Sequence, residues 1–576
     1  MQHFIQPFLG IVLTLLVLVS STTAVSTQID PTAFAKLDTH LRTLVTERGN
    51  TAAVDIIVQT NEVAVDKSMS QLIETLGGRI TTDLPIINGF AAQLPQDALS
   101  SLASSPAVKH LHFDEPVTST HHYTPPPPTP TPGTQDHIQN IGAEQVWAQG
   151  IDGSGVTVAV VDSGIQGAFL GTTSIINWYD TVDGTTADMH GHGTFMAGII
   201  GSSQTDSSSQ PIGIAPGVSL VNVRVLDAAG KGSYSQVLDG LNWILATRYQ
   251  TWPRVRVVNL SVAGPVTGPY WENPINQAVE ALWDAGIVVV AAAGNTGGSP
   301  GSITTPGNDP FIITAGAFTD NYTPSDISDD YIPPFSAAGP TEAGFIKPDV
   351  IAPGAHIPMY THNTSAWAVA NANQTIGTNY YSIAGTSPAA AVTSGVVALM
   401  LDQNPYLTPN QVKHRLMMSA RPAMQADGQT LAYSILQQGA GRVWAPDAVF
   451  GNYSGAANTG MIPGEDYVGP VIYDDVEQVY RLVDANRNPL PLQDNYLWDG
   501  TNFWAGTNFW AGTNFWAGTN FWAGTNFWAG TNFWAGTNFW AGTYFSNSNF
   551  YWNSSAYWSS NNYWDSSNYW YGLIPE

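Results

Sequence analysis

Runs of apolar residues alternate with amphipathic stretches through the middle of the chain. Four of these runs are rich in valine and predict strands buried on both faces: 156–162 (VTVAVVD), 219–226, 255–261 and 286–294. Between them, segments such as 235–245 (SQVLDGLNWIL) and 273–286 have helical spacing. This alternation predicts an α/β domain over 135–451, with a doubly wound, mostly parallel sheet. In such a sheet the ligand site lies beyond the carboxyl ends of the strands.

The regions on either side of this domain have a different pattern. Residues 28–118 mix short strand-like and helix-like segments, which predicts a small α+β unit. Residues 119–134 contain the run YTPPPPTPTPGT, which is typical of a stiff, exposed linker in the polyproline conformation. Residues 452–498 form a C-terminal extension to which the sequence assigns no role.

The last segment, 499–576, is an aromatic repeat tail. Seven copies of TNFWAG fill 501–542. Six residues make three strand repeats but no whole number of helical turns, so the period favours an extended, β-rich repeat. Its exposed rings would stack on sugars or contact a cell envelope. A packed β-repeat without a ligand and a sticky, disordered tail are the alternatives that the pattern leaves open.

Composition and the N-terminus narrow the class of protein. The 576 residues include 44 acidic and 18 basic side chains, for a net charge of −26, which argues against nucleic acid or an anionic membrane as a partner. There is no cysteine. Residues 1–24 combine a short apolar run with small residues up to Ala24, which predicts a cleaved signal peptide and a secreted, extracellular protein. An uncleaved membrane anchor is the alternative, because the start lacks Lys and Arg.

Candidate chemistry lies at the ends of the predicted strands. Asp162 ends the first strand, Asn295 follows the last one, and Ser387 precedes a long apolar helical run. His192 lies near the start of a helix rich in glycine and alanine. Taken singly, these residues are ordinary caps and turns. Together they match the needs of acyl transfer, namely a serine nucleophile, a base, a carboxylate that orients the base, and donors for the oxyanion.

At these residues the chain resembles the subtilisin-like serine peptidases (subtilases, peptidase family S8). The blocks VAVVDSGI, HGHGTFMAG and AGTSPAAAVTSG occur in the order Asp, His, Ser, and the resemblance covers about 137–451. It implies that Asp162 orients His192, that His192 is the general base and that Ser387 attacks the peptide carbonyl. Asn295 and the backbone N–H of Ser387 would form the oxyanion hole. No cofactor is required for this chemistry.

The resemblance also separates the two histidines of HGHG. It assigns the base to His192 and leaves His190 as a loop residue that packs or caps nearby. A His-x-His pair is also able to bind a metal, but no third ligand cluster stands out in the sequence, so no metal ligand is assigned. The loop after Asp162 lacks an acidic residue that many members use for a structural calcium, so a calcium site stays unassigned.

Related enzymes bind a peptide as an added β-strand between two backbone segments. Here the segments would be Gly230–Tyr234 and Ser261–Gly264. Val262, Ala263 and Gly264 would line the pocket for the residue before the scissile bond, which predicts a preference for apolar or large side chains. For Tyr234 a plain surface position is the alternative. The predicted substrate-binding residues are Gly230, Gly232, Tyr234, Ser261, Val262, Ala263 and Gly264.

The segment 28–118 resembles the inhibitor I9-type propeptide of such enzymes. It would lay its last strand in the active cleft, and cleavage between about Val117 and Gly133 would release the mature enzyme. Histidines near its end, such as His110 and His112, suggest pH-sensitive release. The simpler alternative is that they are exposed polar residues. The sequence therefore predicts a secreted serine endopeptidase made as a zymogen, acting on proteins or peptides. The competing hypothesis is a binding module with a dead site, in which the tail is the functional part.

Overall fold

The computed structural model describes residues 30–46, 51–61, 67–119, 136–324, 329–423, 432–476, 479–484 and 487–489. The predicted signal peptide, linker residues 120–134 and the repeat tail lie outside these ranges. In the ranges given, no helix reaches the length and hydropathy needed to cross a bilayer.

Residues 30–119, which we call the N-terminal unit, form a four-stranded antiparallel sheet in the order β2-β3-β1-β4. Its apolar core includes Ile56, Phe90 and Leu94. Met69 and Ile73, four residues apart, place one face of a helix against this core. The elements are α1 (Pro31–Ala35), α2 (Thr39–Thr46), β1 (Ala53–Thr60), α3 (Lys67–Thr75), β2 (Arg79–Leu84), β3 (Gly89–Pro95), α4 (Leu99–Ala103), β4 (Val108–Phe113) and β5 (Pro116–Ser119).

Residues 136–484, which we call the large unit, contain a seven-stranded parallel sheet in the order β14-β13-β12-β10-β6-β8-β7. The predicted parallel α/β sheet is confirmed. Its strands and those of three smaller sheets are β6 (Thr157–Asp162), β7 (Ser174–Asp180), β8 (Ser219–Arg224), β9 (Lys231–Ser233), β10 (Val255–Leu260), β11 (Val262–Ala263), β12 (Val288–Ala292), β13 (Ile313–Phe318), β14 (Val350–Pro353), β15 (Ile357–Tyr360), β16 (Thr375–Gly377), β17 (Tyr380–Ile383), β18 (Val471–Asp474) and β19 (Val479–Leu482).

Helices pack around this sheet and carry two of the candidate residues at their first turns. One of them, α11, packs against β10, β12, β13 and β14 and is buried from Thr386 to Leu401, so it has no polar face. The helices are α5 (Asp136–Gln139), α6 (Ala143–Trp147), α7 (His192–Gly201), α8 (Tyr234–Thr247), α9 (Pro274–Asp284), α10 (Ala366–Ala370), α11 (Thr386–Gln403), α12 (Pro409–Ser419), α13 (Ile435–Gln438) and α14 (Ala445–Phe450).

The described part of the C-terminal extension packs on the large unit. Val471 and Leu482, from the β18–β19 hairpin, belong to the main apolar core. The backbone N–H of Gly464 donates to Glu280 Oε2 at 2.5 Å, and that of Tyr467 donates to the hydroxyl of Tyr270 at 3.0 Å. The extension therefore belongs structurally to the large unit.

Candidate active site

Asp162 and His192 form a buried hydrogen-bonded pair at the carboxyl edge of the large sheet. Asp162 is the last residue of β6, and His192 is the first of α7. Nδ1 of the imidazole lies 2.8 Å from Oδ1 and 2.9 Å from Oδ2 of the carboxylate, and both side chains are fully buried. A carboxylate on Nδ1 fixes the tautomer with Nε2 free of a proton, which is the form that a general base needs.

The chain around His192 holds it at this position. Asp188 accepts hydrogen bonds from the N–H groups of Gly191 (2.6 Å) and Thr194 (2.9 Å) and from the hydroxyls of Thr194 (2.6 Å) and Ser163 (2.8 Å). It thus caps the start of α7. Burial raises the pKa of the Asp188 carboxyl, and these donors oppose the shift. Gly191 has φ of +101°, a conformation that favours glycine.

Ser387 lies in the first turn of α11, and this helix packs against α7 at the same edge of the sheet. Its hydroxyl donates to the carbonyl of Ser261 at 3.3 Å, and the hydroxyl of Ser261 donates to the carbonyl of Ser387 at 3.3 Å. Ser261 in turn accepts from the Asn259 amide at 2.9 Å. This reciprocal contact fixes the nucleophile candidate beside the end of β10.

Asn295 presents a buried donor next to Ser387. Its Oδ1 accepts from the backbone N–H (2.9 Å) and the hydroxyl (3.0 Å) of Thr386. Because Thr386 holds Oδ1, the amide nitrogen Nδ2 faces away from Thr386. Nδ2 is buried and has no hydrogen-bond partner among the described residues. A buried donor without a partner is costly, and it suits a group that receives negative charge only during a reaction.

The last strand of the N-terminal unit occupies the cleft beside these residues. β5 runs antiparallel between β9 and β11 and completes a three-stranded sheet. Val117 is paired with Gly232, and Ser119 is paired with Val262. The N–H of Ser119 donates to the carbonyl of Gly230 at 3.0 Å. The cleft therefore binds extended backbone by strand addition.

Six of the seven predicted substrate-binding residues fall into two groups. Four of them lie on the two strands that pair with β5 or directly beside these strands: Gly230, Gly232, Val262 and Ala263. Tyr234 and Gly264 lie behind them. The ring of Tyr234 packs over Gly264, and its hydroxyl donates to the carbonyl of Pro265 at 2.8 Å.

The surroundings of Tyr234 and Gly264 bear on their predicted roles. Tyr234 is only 1% exposed, so the alternative that placed it on the surface is wrong. Gly264 bonds to Thr305 through its backbone rather than to β5. Ser261, the remaining predicted residue, contacts Ser387 as described above.

His190 lies in the loop before α7, as the sequence suggested. It is buried between the cleft and α10, and its carbonyl accepts from the N–H of Trp367 at 2.9 Å. A Cβ atom added to Gly230 would lie 2.7 Å from His190 Nε2 and 2.9 Å from Ser119 Oγ. Over the described ranges, no three His, Cys, Asp or Glu side chains are grouped so as to hold a metal ion.

Sequence reasoning did not find the residues that position the site. Asp188 precedes a helix start, which is a capping signal, but the prediction gave it no role. Ser163 links Asp188 to Asp162, because its hydroxyl donates to Asp188 at 2.8 Å and its own N–H donates to Asp162 at 2.7 Å. Thr386, next to the serine, orients Asn295. No spacing rule links Thr386 to a residue 91 positions earlier.

Comparison with known proteins gives concordant results. The sequence model of the subtilase family matches residues 153–442. Serine protease AprX of Bacillus subtilis (strain 168) is 38% identical over 273 residues, which is 46% of this chain and 62% of the relative. Subtilisin E from the same organism is 30% identical over 366 residues, 63% of this chain and 83% of the relative.

A solved structure supports the fold. Fervidolysin from Fervidobacterium pennivorans, a keratinolytic enzyme related to subtilisin, aligns with a TM-score of 0.53 at 20% identity. The alignment covers 77% of this chain and 65% of fervidolysin. At this identity the likeness concerns the fold alone. The chain thus spans less than two thirds of the length of both AprX and fervidolysin.

Proposed function

The chain belongs to the subtilase family of serine peptidases, and we propose that it is an endopeptidase made as a self-inhibited precursor. Asp162, His192 and Ser387 act as the catalytic triad, and Asn295 acts as an oxyanion donor. The observation that carries the proposal is the pair of buried groups at the carboxyl edge of the sheet. His192 has a carboxylate on Nδ1, and Asn295 has an amide donor with no partner among the described residues.

In the proposed reaction the hydroxyl of Ser387 attacks the substrate carbonyl, and His192 Nε2 takes its proton. The carbonyl oxygen becomes an oxyanion, which Asn295 Nδ2 and the N–H of Ser387 stabilise. His192 then gives the proton to the leaving amine, so the C–N bond breaks and an acyl-enzyme remains. Water, deprotonated by His192, hydrolyses the ester and restores Ser387. Asp162 stays ionised and supports the imidazolium in both steps.

The N-terminal unit is the proposed inhibitory propeptide. Besides β5, polar contacts tie it to the large unit. Asp114 accepts from the N–H (2.8 Å) and hydroxyl (2.6 Å) of Ser235 in the first turn of α8. Gln59 donates to Gln277 at 2.6 Å. A strand in the cleft excludes any other peptide, which supports inhibition by the chain's own segment.

The register of β5 favours one cleavage point. Ser119 is paired with Val262 in an antiparallel register. The pairing position that follows on the large unit is therefore Ser261, whose carbonyl accepts from the Ser387 hydroxyl. One more residue along the chain is Thr120. We therefore expect the self-cleaved bond to follow Thr120 and the mature chain to begin at His121.

The test is expression of the full chain with and without Ser387→Ala, followed by intact mass spectrometry and N-terminal sequencing. The unchanged chain is expected to give a fragment beginning at His121, and Ser387→Ala to stay uncut. Ser104→Ala, at an exposed helix end of the N-terminal unit, is the matched control and should be processed normally. Normal processing of Ser387→Ala would overturn the self-cleavage proposal. A different first residue would overturn only the register.

We also propose secretion, based on the signal-like residues 1–24, and attachment to a cell envelope or polysaccharide through 499–576. Deleting 499–576 should leave peptide hydrolysis unchanged and reduce retention on cells. The competing hypothesis of a dead site predicts no peptide hydrolysis by the full chain. The pairing of His192 with Asp162 favours the peptidase.

A further inference from the structure

We propose that a groove at the edge of the large sheet opposite the catalytic residues binds a carboxylate-bearing sugar of the uronic-acid type. The groove has a volume of about 250 Å³. It lies where β10 and β12 begin, whereas the triad lies where the parallel strands end. The end of α8, the turn before β12 and the loop 405–409 complete its walls. We call it the arginine groove.

Three arginines line this groove: Arg248, Arg254 and Arg256. They stand out in a chain of net charge −26 that has only 18 basic residues. None of the three forms an ion pair with a carboxylate in the described part of the chain. Asp284, which adjoins the groove residue Ala285, forms no ion pair with a basic side chain of that part either. The groove therefore has three positive charges that no ion pair in the described part of the chain neutralises.

The hydrogen bonds of these arginines support this interpretation. Arg256 donates to the carbonyls of Pro405 (2.7 Å) and Leu407 (2.9 Å), and Arg248 donates to that of Leu245. Arg254 is exposed and has no hydrogen bond or ion pair with the described residues. Burial, and then the charge of Arg254, lower the pKa of Arg256, so an anion in the groove would be favourable. A guanidinium binds a carboxylate through two parallel N–H···O bonds.

Aromatic rings at the rim select a ring-shaped ligand. Tyr249 and Tyr406 line the groove and are 72% and 89% exposed, and Trp252, in the loop between Tyr249 and Arg254, is 87% exposed. The guanidinium of Arg248 lies 4.6 Å from the centre of the Tyr249 ring. Exposed rings on a soluble protein mark contact surfaces, and their flat faces suit a sugar ring. A ring with a carboxylate uses both features, whereas a peptide made only of acidic residues would use the charge alone.

The test measures binding of trigalacturonate to the full chain carrying Ser387→Ala, by calorimetry at low salt. We expect binding that weakens at least about 10-fold in Arg254→Gln and about 5-fold in Tyr406→Ala, and that falls with added salt. Arg79→Gln removes the same charge from an exposed strand of the N-terminal unit and should leave binding unchanged. Because the nucleophile is absent throughout, the outcome does not depend on the proposed peptidase activity.

Three results would overturn the proposal. The first is undetectable binding of trigalacturonate, or binding that Arg254→Gln leaves unchanged. The second is equal binding of the neutral sugar galactotriose, which would remove the role of the charge. The third is tighter binding of hexaglutamate or inorganic phosphate than of trigalacturonate, with no effect of Tyr406→Ala. That result would mark a general anion site or a site for an acidic protein segment.

Discussion

The N-terminal unit and the large unit bury their charged groups in different ways. In the large unit, Lys347 and Lys413 are fully buried and pair with Asp349 at 2.7 Å and 3.2 Å, all within that unit. In the N-terminal unit, Asp114 depends on Ser235 across the boundary. Opening the large unit would leave buried charges without partners, which is strongly unfavourable. Undocking the N-terminal unit exposes polar groups that water can solvate, so this boundary is the one that can separate.

A second contrast concerns the apolar contacts. The core of the large unit is continuous from Ile138 to Val483, whereas the N-terminal unit has its own core and adds only a few side chains to the other, among them Val117 and Leu84. The N-terminal unit is thus able to dissociate from the large unit with its own core intact. Variants on both sides of the boundary test this difference.

Asn295→Ala in the large unit is expected to have a large effect on catalysis. Loss of the buried Nδ2 donor should lower kcat for peptide hydrolysis about 10²- to 10³-fold, a magnitude known from subtilisin itself rather than obtained from this structure. KM should change little, because the donor acts on charge that develops in the transition state. Steady-state kinetics on a chromogenic peptide measure both constants. Asn363→Ala, at an exposed site, is the control; equal kcat values for the two variants would contradict the assignment.

At the boundary, Val117→Asp should speed release of the N-terminal unit about 30-fold or more. Val117 is 2% exposed, and losing its burial costs about 2 kcal/mol even before the charge is considered. The readout is the lag before activity appears after self-cleavage. Thr118→Asp adds the same charge on the exposed face of β5 and should leave the lag nearly unchanged. Equal effects of the two variants would show that β5 is not held by its buried face.

Asp188→Asn should lower kcat about 10-fold through the position of His192. An amide has one acceptor oxygen and adds a donor, so it cannot satisfy the four donors that Asp188 now binds. Because Asp188 acts through His192, the pH profile of kcat/KM should shift as well, whereas a purely structural defect would lower activity equally at every pH. Asp206→Asn, in a surface turn, is the control.

The smallest effect concerns pH. Burial lowers the pKa of His112 to about 3 in the docked state, so its ring is neutral there. In a released unit, His112 with an ordinary pKa of about 6.5 takes up a proton below that pH. The free energy of docking is therefore most favourable above pH 6.5 and becomes less favourable as the pH falls towards 3. Asp114 and Glu115, whose pKa values burial raises, oppose this trend in more acidic solution.

Between pH 7.5 and 5.5, release should therefore accelerate by no more than about 10-fold. His112→Gln should flatten this dependence, measured again from the lag before activity appears. The neighbouring His110, whose pKa burial also lowers, should account for any remaining slope, and the double variant tests this. A release rate that does not change with pH in the unmodified chain would contradict the prediction.

The sequence predicted the parts of the molecule that have local signals. The valine-rich runs that became β6, β8, β10 and β12 are buried on both faces, so their apolar pattern is continuous. The motifs also identified the residues of the proposed triad. Strand β7 was not predicted, because it lies at the sheet edge with half-exposed residues, and β14 has only four residues.

Contacts between distant segments could not be predicted from local pattern. Nothing near Tyr234 signals that its ring will cover Gly264, 30 positions later, and the surface alternative was wrong for that reason. The same holds for Asp114, which caps a helix that begins 120 positions further on. Such contacts depend on how the two units dock, and a periodic pattern records only which face of an element is buried.

The most direct measurement is labelling of the mature enzyme with a phosphonyl fluoride, followed by peptide mapping and by the labelling rate of Asp162→Asn after a trace of the unmodified enzyme has cleaved off its N-terminal unit. A single adduct on Ser387, with labelling slowed at least about 1,000-fold in Asp162→Asn, is the predicted result, because the carboxylate holds the base that activates this hydroxyl. No adduct, an adduct on another serine, or an unchanged rate in Asp162→Asn would contradict the proposed triad.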